Sequence, residues 1–185
     1  MKKERCIVTA VNEKYVPYLA VMLASVIQSV DEYYKYEIVI MHEHLSCESQ
    51  DAIHIMNSRD NINIRFIDVS HYVQGYVFFT GGKNKNQYLS KETYFRLLTP
   101  ELLPEYENVL YLDCDLIVKN GWTDIFTNDI KGHFVAAVVD IWGNWECYNK
   151  YSELYKYRNT ELELDNPLQY FNAGVLFLNI EKIRT

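Results

Sequence analysis

The chain reads as an α/β domain: a mixed, mainly parallel β-sheet flanked by helices. Three observations predict it. From Cys6 to Val69, apolar strand-like runs alternate with helical stretches, the pattern that gives parallel strands joined by crossover helices. Later runs, above all Tyr170 to Asn179, are rich in aliphatics and alternate poorly, as buried strands do. Finally, the apolar run Val109-Leu110-Tyr111-Leu112 ends abruptly in Asp113-Cys114-Asp115. A bare carboxylate removed from water costs several kcal/mol or more, by order of magnitude, unless it is paired, hydrogen-bonded or bound to a metal. The run must therefore meet a surface or a cation at that point.

With 185 residues, 49% of them hydrophobic, the chain suits a single domain spanning residues 1–185 with a sizeable core. A formal net charge of -7 argues against nucleic acid as the main partner, because phosphate binding needs a basic face. Four cysteines at 6, 47, 114 and 147 form no Cys-x-x-Cys pair, so neither zinc nor a disulfide framework is signalled and a reducing compartment is the simpler expectation. The segment Met1 to Arg5 leads into only a short apolar strand, and no run reaches the ~18 to 20 apolar residues of a membrane span. A cytoplasmic chain is expected.

Cys6 to Val11 is the first expected strand and Asn12-Glu13-Lys14 the loop after it. Apolar residues at 18, 19, 22, 23, 26, 27 and 30 trace one face of a helix, with Pro17 tolerated near its start. Tyr36 to Met41 and Ile62 to Val69 are the next strands, separated by a helix that Ser46 can cap and that runs to about Asn57. Gly81 to Gln87 reads as a polar loop; Gly81-Gly82-Lys83 lacks the spacing of a phosphate cradle. Ser90 is the expected cap of a helix through Leu98, stopped by Pro100. After the Asp-x-Asp strand, Phe134 to Val139 is expected as a further buried strand with Asp140 at its tip. Ile141 to Asn166 is ragged and aromatic, a loop or short helix. Most of the 16 tyrosines and eight phenylalanines are expected in the core. Tyr170 to Asn179 closes the sheet; if antiparallel, it brings Asn172 near Asp113, Asp115 and Asp140, with Gly174 suited to close backbone approach.

Asp-x-Asp alone is weak evidence, since ten aspartates give roughly 0.5 such triplets by chance. A solvated turn and a Mg²⁺ or Mn²⁺ site are both compatible with the spacing. No Gly-x-Gly-x-x-Gly follows the first strand, which excludes the dinucleotide fingerprint. Arg96 on its own would be a surface ion-pair partner, and Asp140 on its own a turn former or cap.

Glu101-Leu102-Leu103-Pro104-Glu105-Tyr106 leading into Val109-Leu110-Tyr111-Leu112-Asp113-Cys114-Asp115, the later Tyr170-Phe171-Asn172-Ala173-Gly174-Val175-Leu176, and Tyr15-Val16-Pro17-Tyr18-Leu19 near the start together resemble glycosyltransferase family 8. These are retaining, metal-dependent enzymes of the Rossmann-like GT-A fold, including galactosyl- and glucosyltransferases and glycogenin. The resemblance runs from about Cys6 to Arg184. It implies transfer of a hexose, galactose or glucose, from a UDP-sugar to a saccharide or glycan acceptor, with Mn²⁺ or Mg²⁺ on Asp113 and Asp115. It further implies donor binding by Ala10, Asn12, Tyr15, Arg96 (in Tyr94-Phe95-Arg96-Leu97), Asp113, Cys114, Asp115, Ala173 and Gly174, and catalytic contacts from Asp140 and Asn172 beside the reacting carbon. The Gly81 to Gln87 loop is a candidate lid.

Two departures accompany the resemblance. Family members commonly carry an aspartate where Asn12 stands, binding uracil, and an asparagine where Lys14 stands; the Asn12 amide can still bond a base edge. Relatives also continue beyond the Phe-Asn-Ala-Gly strand with an Asp-Gln pair and a metal-ligating histidine, whereas this sequence stops at Thr185. None of His42, His44, His54, His71 and His133 matches that ligand's context. Peripheral membrane association through the family's C-terminal part stays open. The rival readings are a truncated, non-catalytic nucleotide-sugar-binding module and, last, an aspartate-nucleophile phosphatase, which expects its Asp-x-Asp after the first strand.

Overall fold

A computed structural model describes residues 4–78 and 90–185. The candidate lid, Gly81 to Gln87, lies outside the described residues. Strand β1 (Glu4–Val11) leads through a 3-10 turn (Glu13–Tyr15) into helix α1 (Val16–Ser29), where Pro17 occupies the first turn, the place where a missing N–H costs nothing. Strand β2 (Lys35–His42), helix α2 (Cys47–Met56) and strand β3 (Ile62–Asp68) follow. Ser46 caps α2 as expected, its hydroxyl accepting from the Ser49 N–H at 3.2 Å. After the short α3 (Ser70–Val73), a 3-10 helix (Lys91–Leu98) runs into α4 (Thr99–Leu102) and then β4 (Asn108–Leu112). A 3-10 helix (Trp122–Thr127), β5 (Val135–Val139), α5 (Ile141–Cys147), α6 (Glu153–Lys156), a π turn (Tyr157–Glu161), β6 (Phe171–Asn179) and α7 (Ile180–Arg184) complete the chain.

The sheet order is β3-β2-β1-β4-β6-β5. Strands β1 to β4 are parallel, while β6 runs antiparallel to both β4 and β5. Both faces of the central strands are covered. Ile7 and Val11 of β1 pack with Leu19, Met22, Leu23 and Val26 of α1 on one side. Cys6, Val8 and Ala10 pack with Phe95, Leu103, Tyr111 and Ile180 on the other. Two buried faces explain why these strands read as apolar runs rather than alternating ones.

Four expectations need correction. Residues 91–98 form a 3-10 helix without a side-chain cap from Ser90, and Pro100 begins the next helical turn instead of stopping one, as proline can wherever its absent N–H would have had no partner. Strand β5 is not buried: it is the sheet edge, with Val138 and Val139 57% and 61% exposed. Burial of β6 starts only at Gly174, since Phe171, Asn172 and Ala173 project past the end of β4. Lastly, of the described tyrosines only Tyr36 and Tyr111 are buried, against eight that are exposed; most of these stand on surface turns and in the segment between β5 and β6, where the phenol keeps its hydration.

Candidate active site

Parallel strands carry the chain away from the β1–β4 boundary in opposite directions: β2 and β3 lie on one side of β1, β4 and β6 on the other. The carboxyl ends of β1 and β4 therefore flank a topological switch point, where open α/β sheets leave a crevice. A cleft sits there, walled by Ala10, Asn12 and Tyr15 after β1, by Glu92 and Arg96 of the 3-10 helix, and by Tyr111, Asp113, Cys114 and Asp115 at the end of β4. Seven of the sequence-expected residues thus converge on one cleft.

Its floor is a small polar network. The Asp113 N–H donates to the Gly174 carbonyl at 2.8 Å, which continues the β4–β6 ladder one residue past the strand. Asp113 Oδ1 accepts from Arg96 Nη2 at 2.9 Å and from the Tyr111 hydroxyl at 3.0 Å. The Arg96 guanidinium also donates to the Ala173 carbonyl and to Thr93 O, the latter at 2.7 Å, and lies 4.5 Å over the Tyr111 ring. Arg96 thereby ties the 3-10 helix to β4 and β6 at once. Burial pushes the Asp113 carboxyl above its ordinary value, against the pull of Arg96 and the Tyr111 hydroxyl, and the Asp115 charge adds to the rise. The Cys114 thiol is pushed up to about 12 by burial and by its two aspartate neighbours, which leaves it a neutral wall residue. Asp115 is exposed.

Asn12 does not point freely at the cleft. Its Oδ1 accepts from the N–H groups of Lys14 and Tyr15 at 3.1 and 3.3 Å, capping the 3-10 turn. The turn is further pinned by Glu13, whose carboxylate takes bonds from Ser46 N, Ser46 Oγ and Ser49 Oγ at the start of α2.

Asn172 borders this floor, its Oδ1 and Asp113 Oδ2 both crowding the place a Cβ on Gly174 would take, whereas Asp140 stands outside the cleft lining. The pairs Val138 with Asn172 and Val139 with Phe171 set Asp140 opposite Tyr170, whose carbonyl accepts the Asp140 N–H at 3.0 Å. Asp140 Oδ1 caps α5 through the Gly143 N–H at 3.1 Å, and its Oδ2 pairs with Arg158 Nη2 at 3.1 Å. Asn172 Oδ1 accepts from the Gly174 N–H at 2.8 Å.

Three participants had escaped the reading of the sequence. Tyr111 was legible, since residues two apart on a strand share a face and Tyr111 lies two before Asp113. Glu92, buried in the cleft wall at 7% exposure, carried no signal beyond lying in the same helical stretch as Arg96. Arg158 sits in the aperiodic stretch and had none.

Two carboxylates on a short spacing are hard oxygen donors of the kind Mg²⁺ and Mn²⁺ take. Their chemistry fits such an ion, and their number does not complete a shell: among the described residues no three His, Cys, Asp or Glu side chains stand close enough to hold a metal. The histidines serve elsewhere. His42 is buried and accepts from the Leu45 N–H, and His54 packs edge-on against Phe66. No helix among the described residues is long and apolar enough to cross a membrane.

The profile described as glycosyl transferase family 8 matches residues 6–185. General stress protein A of Bacillus subtilis is 21% identical over 180 residues, covering 96% of this chain and 57% of that protein. Among solved structures, the WbbM bifunctional glycosyltransferase superposes with a TM-score of 0.83 at 24% identity, covering all of this chain and 33% of the other. The galactosyltransferase LgtC, solved with donor and acceptor sugar analogues, gives 0.74 at 25% identity, covering 97% of this chain and 59% of the other. The chain thus spans about half the length of the curated relatives it matches, and its architecture is the GT-A fold. Over that span, the sheet order, the cleft at the switch point and the match across residues 6–185 agree: the chain belongs to glycosyl transferase family 8.

Proposed function

We propose that this chain is the donor-binding part of a glycosyltransferase that moves a hexose, galactose or glucose, from a UDP-sugar to a saccharide or glycan acceptor with retention of configuration. The observation that carries the reading is the convergence of Asn12, Tyr15, Arg96, Asp113 and Asp115 on one cleft at the β1–β4 switch point. Family membership and the likeness to LgtC support it.

In this reading the Asn12–Tyr15 turn takes the base, and the diphosphate lies toward Asp113 and Asp115. These two carboxylates would hold Mn²⁺ or Mg²⁺, with the remaining positions filled by phosphate oxygens and water. The ion supplies Lewis-acid stabilisation of the charge that develops on the leaving diphosphate. Arg96 brings a fixed positive charge to the same cleft and holds Asp113 in one orientation, so little reorganisation is needed on binding. The Ala173 and Gly174 backbone closes the floor, while Asp140 and Asn172 face the sugar. The cell's UDP-sugar pool and four free cysteines are consistent with a cytoplasmic setting, with the chain acting as one domain.

A nucleotide-sugar-binding module without turnover is the second reading. It is favoured by the engagement of Asp113 Oδ1 with Arg96 and Tyr111 and by a donor set of two carboxylates. Calorimetric titration of UDP with and without Mn²⁺, repeated on Asp113→Asn with Asp115→Asn, tests both. Manganese-dependent binding that the double variant loses supports a donor site; transfer or donor hydrolysis then separates enzyme from binding module. Binding that ignores both manganese and the aspartates sinks the assignment.

A further inference from the structure

Arg158 is 2% exposed, and a guanidinium that deep is tolerated only when every face has a partner. Its Nη1 donates to Asn144 Oδ1 at 2.7 Å and to the Pro167 carbonyl at 3.1 Å, and its plane lies 4.4 Å over the Tyr170 ring. These contacts already tie together the segment between β5 and β6. Nη2 reaches outward to Asp140 Oδ2 at the tip of β5. The pair is one-sided: the Arg158 side chain is 3% exposed and that of Asp140 is 27% exposed, so the cation is behind and the carboxylate is presented to solvent. Gly143 seals the arrangement, since a Cβ there would collide with Asp140 Oδ2 and lie 2.5 Å from Arg158 Nη2. With Oδ1 accepting from the Gly143 N–H and Oδ2 from Arg158, the carboxylate is held through both oxygens.

We propose that Arg158 is a positioning residue which, acting through Asp140, orients the sugar end of the donor. This rests on the reading of the cleft as a nucleotide-sugar site. In that reading the nucleotide occupies the cleft, whose lining includes neither Arg158 nor Asp140. Loss of Arg158 therefore weakens a UDP-hexose and spares UDP. Removing one charge-assisted bond at the carboxylate corresponds to about tenfold in affinity.

The experiment compares Arg158→Gln, Arg158→Lys, Asp140→Asn and the double variant Asp140→Asn with Arg158→Gln, each first checked by thermal melting. Two readouts are taken: the Gly143 amide resonance without ligand, and calorimetric titration with UDP, UDP-galactose and UDP-glucose in Mn²⁺. The expected result is UDP affinity within about twofold of the parent, UDP-hexose affinity about tenfold weaker, and a double variant no worse than either single one. Arg158→Lys keeps a charge and restores part of the loss. Equal loss for UDP and UDP-hexose, or additive losses in the double variant, overturns the proposal. Should Arg158→Gln fail to fold, Arg158→Lys decides alone: a Gly143 amide that shifts as it does in Asp140→Asn supports the link, and an unmoved one ends it. A parent chain that binds no UDP defeats the nucleotide reading and the donor-facing half of the proposal with it. The Gly143 amide still reports separately whether Arg158 sets the Asp140 carboxylate.

Discussion

Gly174 and Asp113 are packed so closely that any side chain at position 174 must displace a neighbour: a Cβ there would stand 2.7 Å from Asp113 Oδ2 and 3.0 Å from Asn172 Oδ1. The glycine is required by contact, because its backbone is ordinary extended strand. Asp113 in turn donates its N–H to the Gly174 carbonyl, so strand and carboxylate hold each other in register.

Gly174→Ala is therefore expected to displace the Asp113 carboxylate from Arg96 and Tyr111. Overpacking of this kind costs about 1 to 3 kcal/mol of stability. Metal-dependent UDP binding should fall by more than the stability change explains, because the displaced group is a proposed ligand. Urea unfolding and UDP titration on the same preparation check both parts; an alanine variant with unchanged UDP affinity would show that the Asp113 position does not matter for binding.

Asp113 also carries a pH prediction for the metal-free protein. Burial raises its carboxyl above the ordinary range, and Arg96 and Tyr111 only partly offset this. With the folded value above the unfolded one of about 3.9, the folded state binds more protons in the window between them. Stability consequently falls as pH rises through that window, and the penalty is fully present above the folded value. Asp113→Asn, which resembles the protonated carboxyl, should be at least as stable as the parent at pH 7 and should lack that downward slope. Chelated protein melted across pH 3.5 to 7 would reveal it, and a variant less stable at pH 7 would refute it. Retention of a destabilising ion at this place is what a binding role would require.

Acid should act oppositely at the far pole of the sheet. Burial tends to raise Asp31, yet the Tyr36 hydroxyl, the Tyr33 and Tyr34 N–H groups and Arg5 together hold it below the usual carboxylate range. The folded value being the lower one, its stabilisation is present above about pH 4 and is lost as pH falls through the folded value. Arg5 is 7% exposed and lies 3.4 Å over the Tyr34 ring. Asp31→Ala leaves that guanidinium without its counter-ion. Because Asp31 is itself partly exposed, the expected cost at pH 7 is about 1 to 3 kcal/mol, below the range for a fully buried pair. The gap between parent and variant in denaturant midpoint should be smaller at pH 3 than at pH 7.

What the sequence disclosed follows from physical contrast. Asp113 and Asp115 stood out because two charges interrupt an apolar strand, and α1 stood out because its buried residues Leu19, Met22, Leu23, Val26 and Ile27 keep helical spacing. Strand β5 was misjudged because Val135-Ala136-Ala137-Val138-Val139 has the composition of a central strand. Its edge position depends on β6, which arrives later in the chain and inserts between β4 and β5, an ordering that no local pattern encodes. Arg158 was invisible for a related reason: its partners Asp140, Asn144 and Pro167 follow no helical or strand period. The Asn12 cap was hidden as well, since the same amide can face a ligand or its own backbone.

That cap makes a specific prediction about the base. Asn12 Oδ1 is taken up by the Lys14 and Tyr15 N–H groups, so the group left to face a ligand is the amide NH₂, a donor only. Uracil presents an N3–H donor between two carbonyls: the NH₂ can donate to a carbonyl but offers the N3–H no acceptor, whereas cytosine, whose N3 is an acceptor, finds a matching donor there. In Asn12→Asp one carboxylate oxygen can keep the cap while the other becomes an acceptor. The variant should therefore bind UDP more tightly relative to CDP, by about tenfold for one hydrogen bond to a charged group. Melting temperature should stay close to the parent's, because aspartate and asparagine cap turns about equally well. Competitive titration of UDP against CDP on both proteins measures the ratio directly. If the ratio is the same in parent and variant, the base does not lie against residue 12, and the nucleotide must enter the cleft in another orientation.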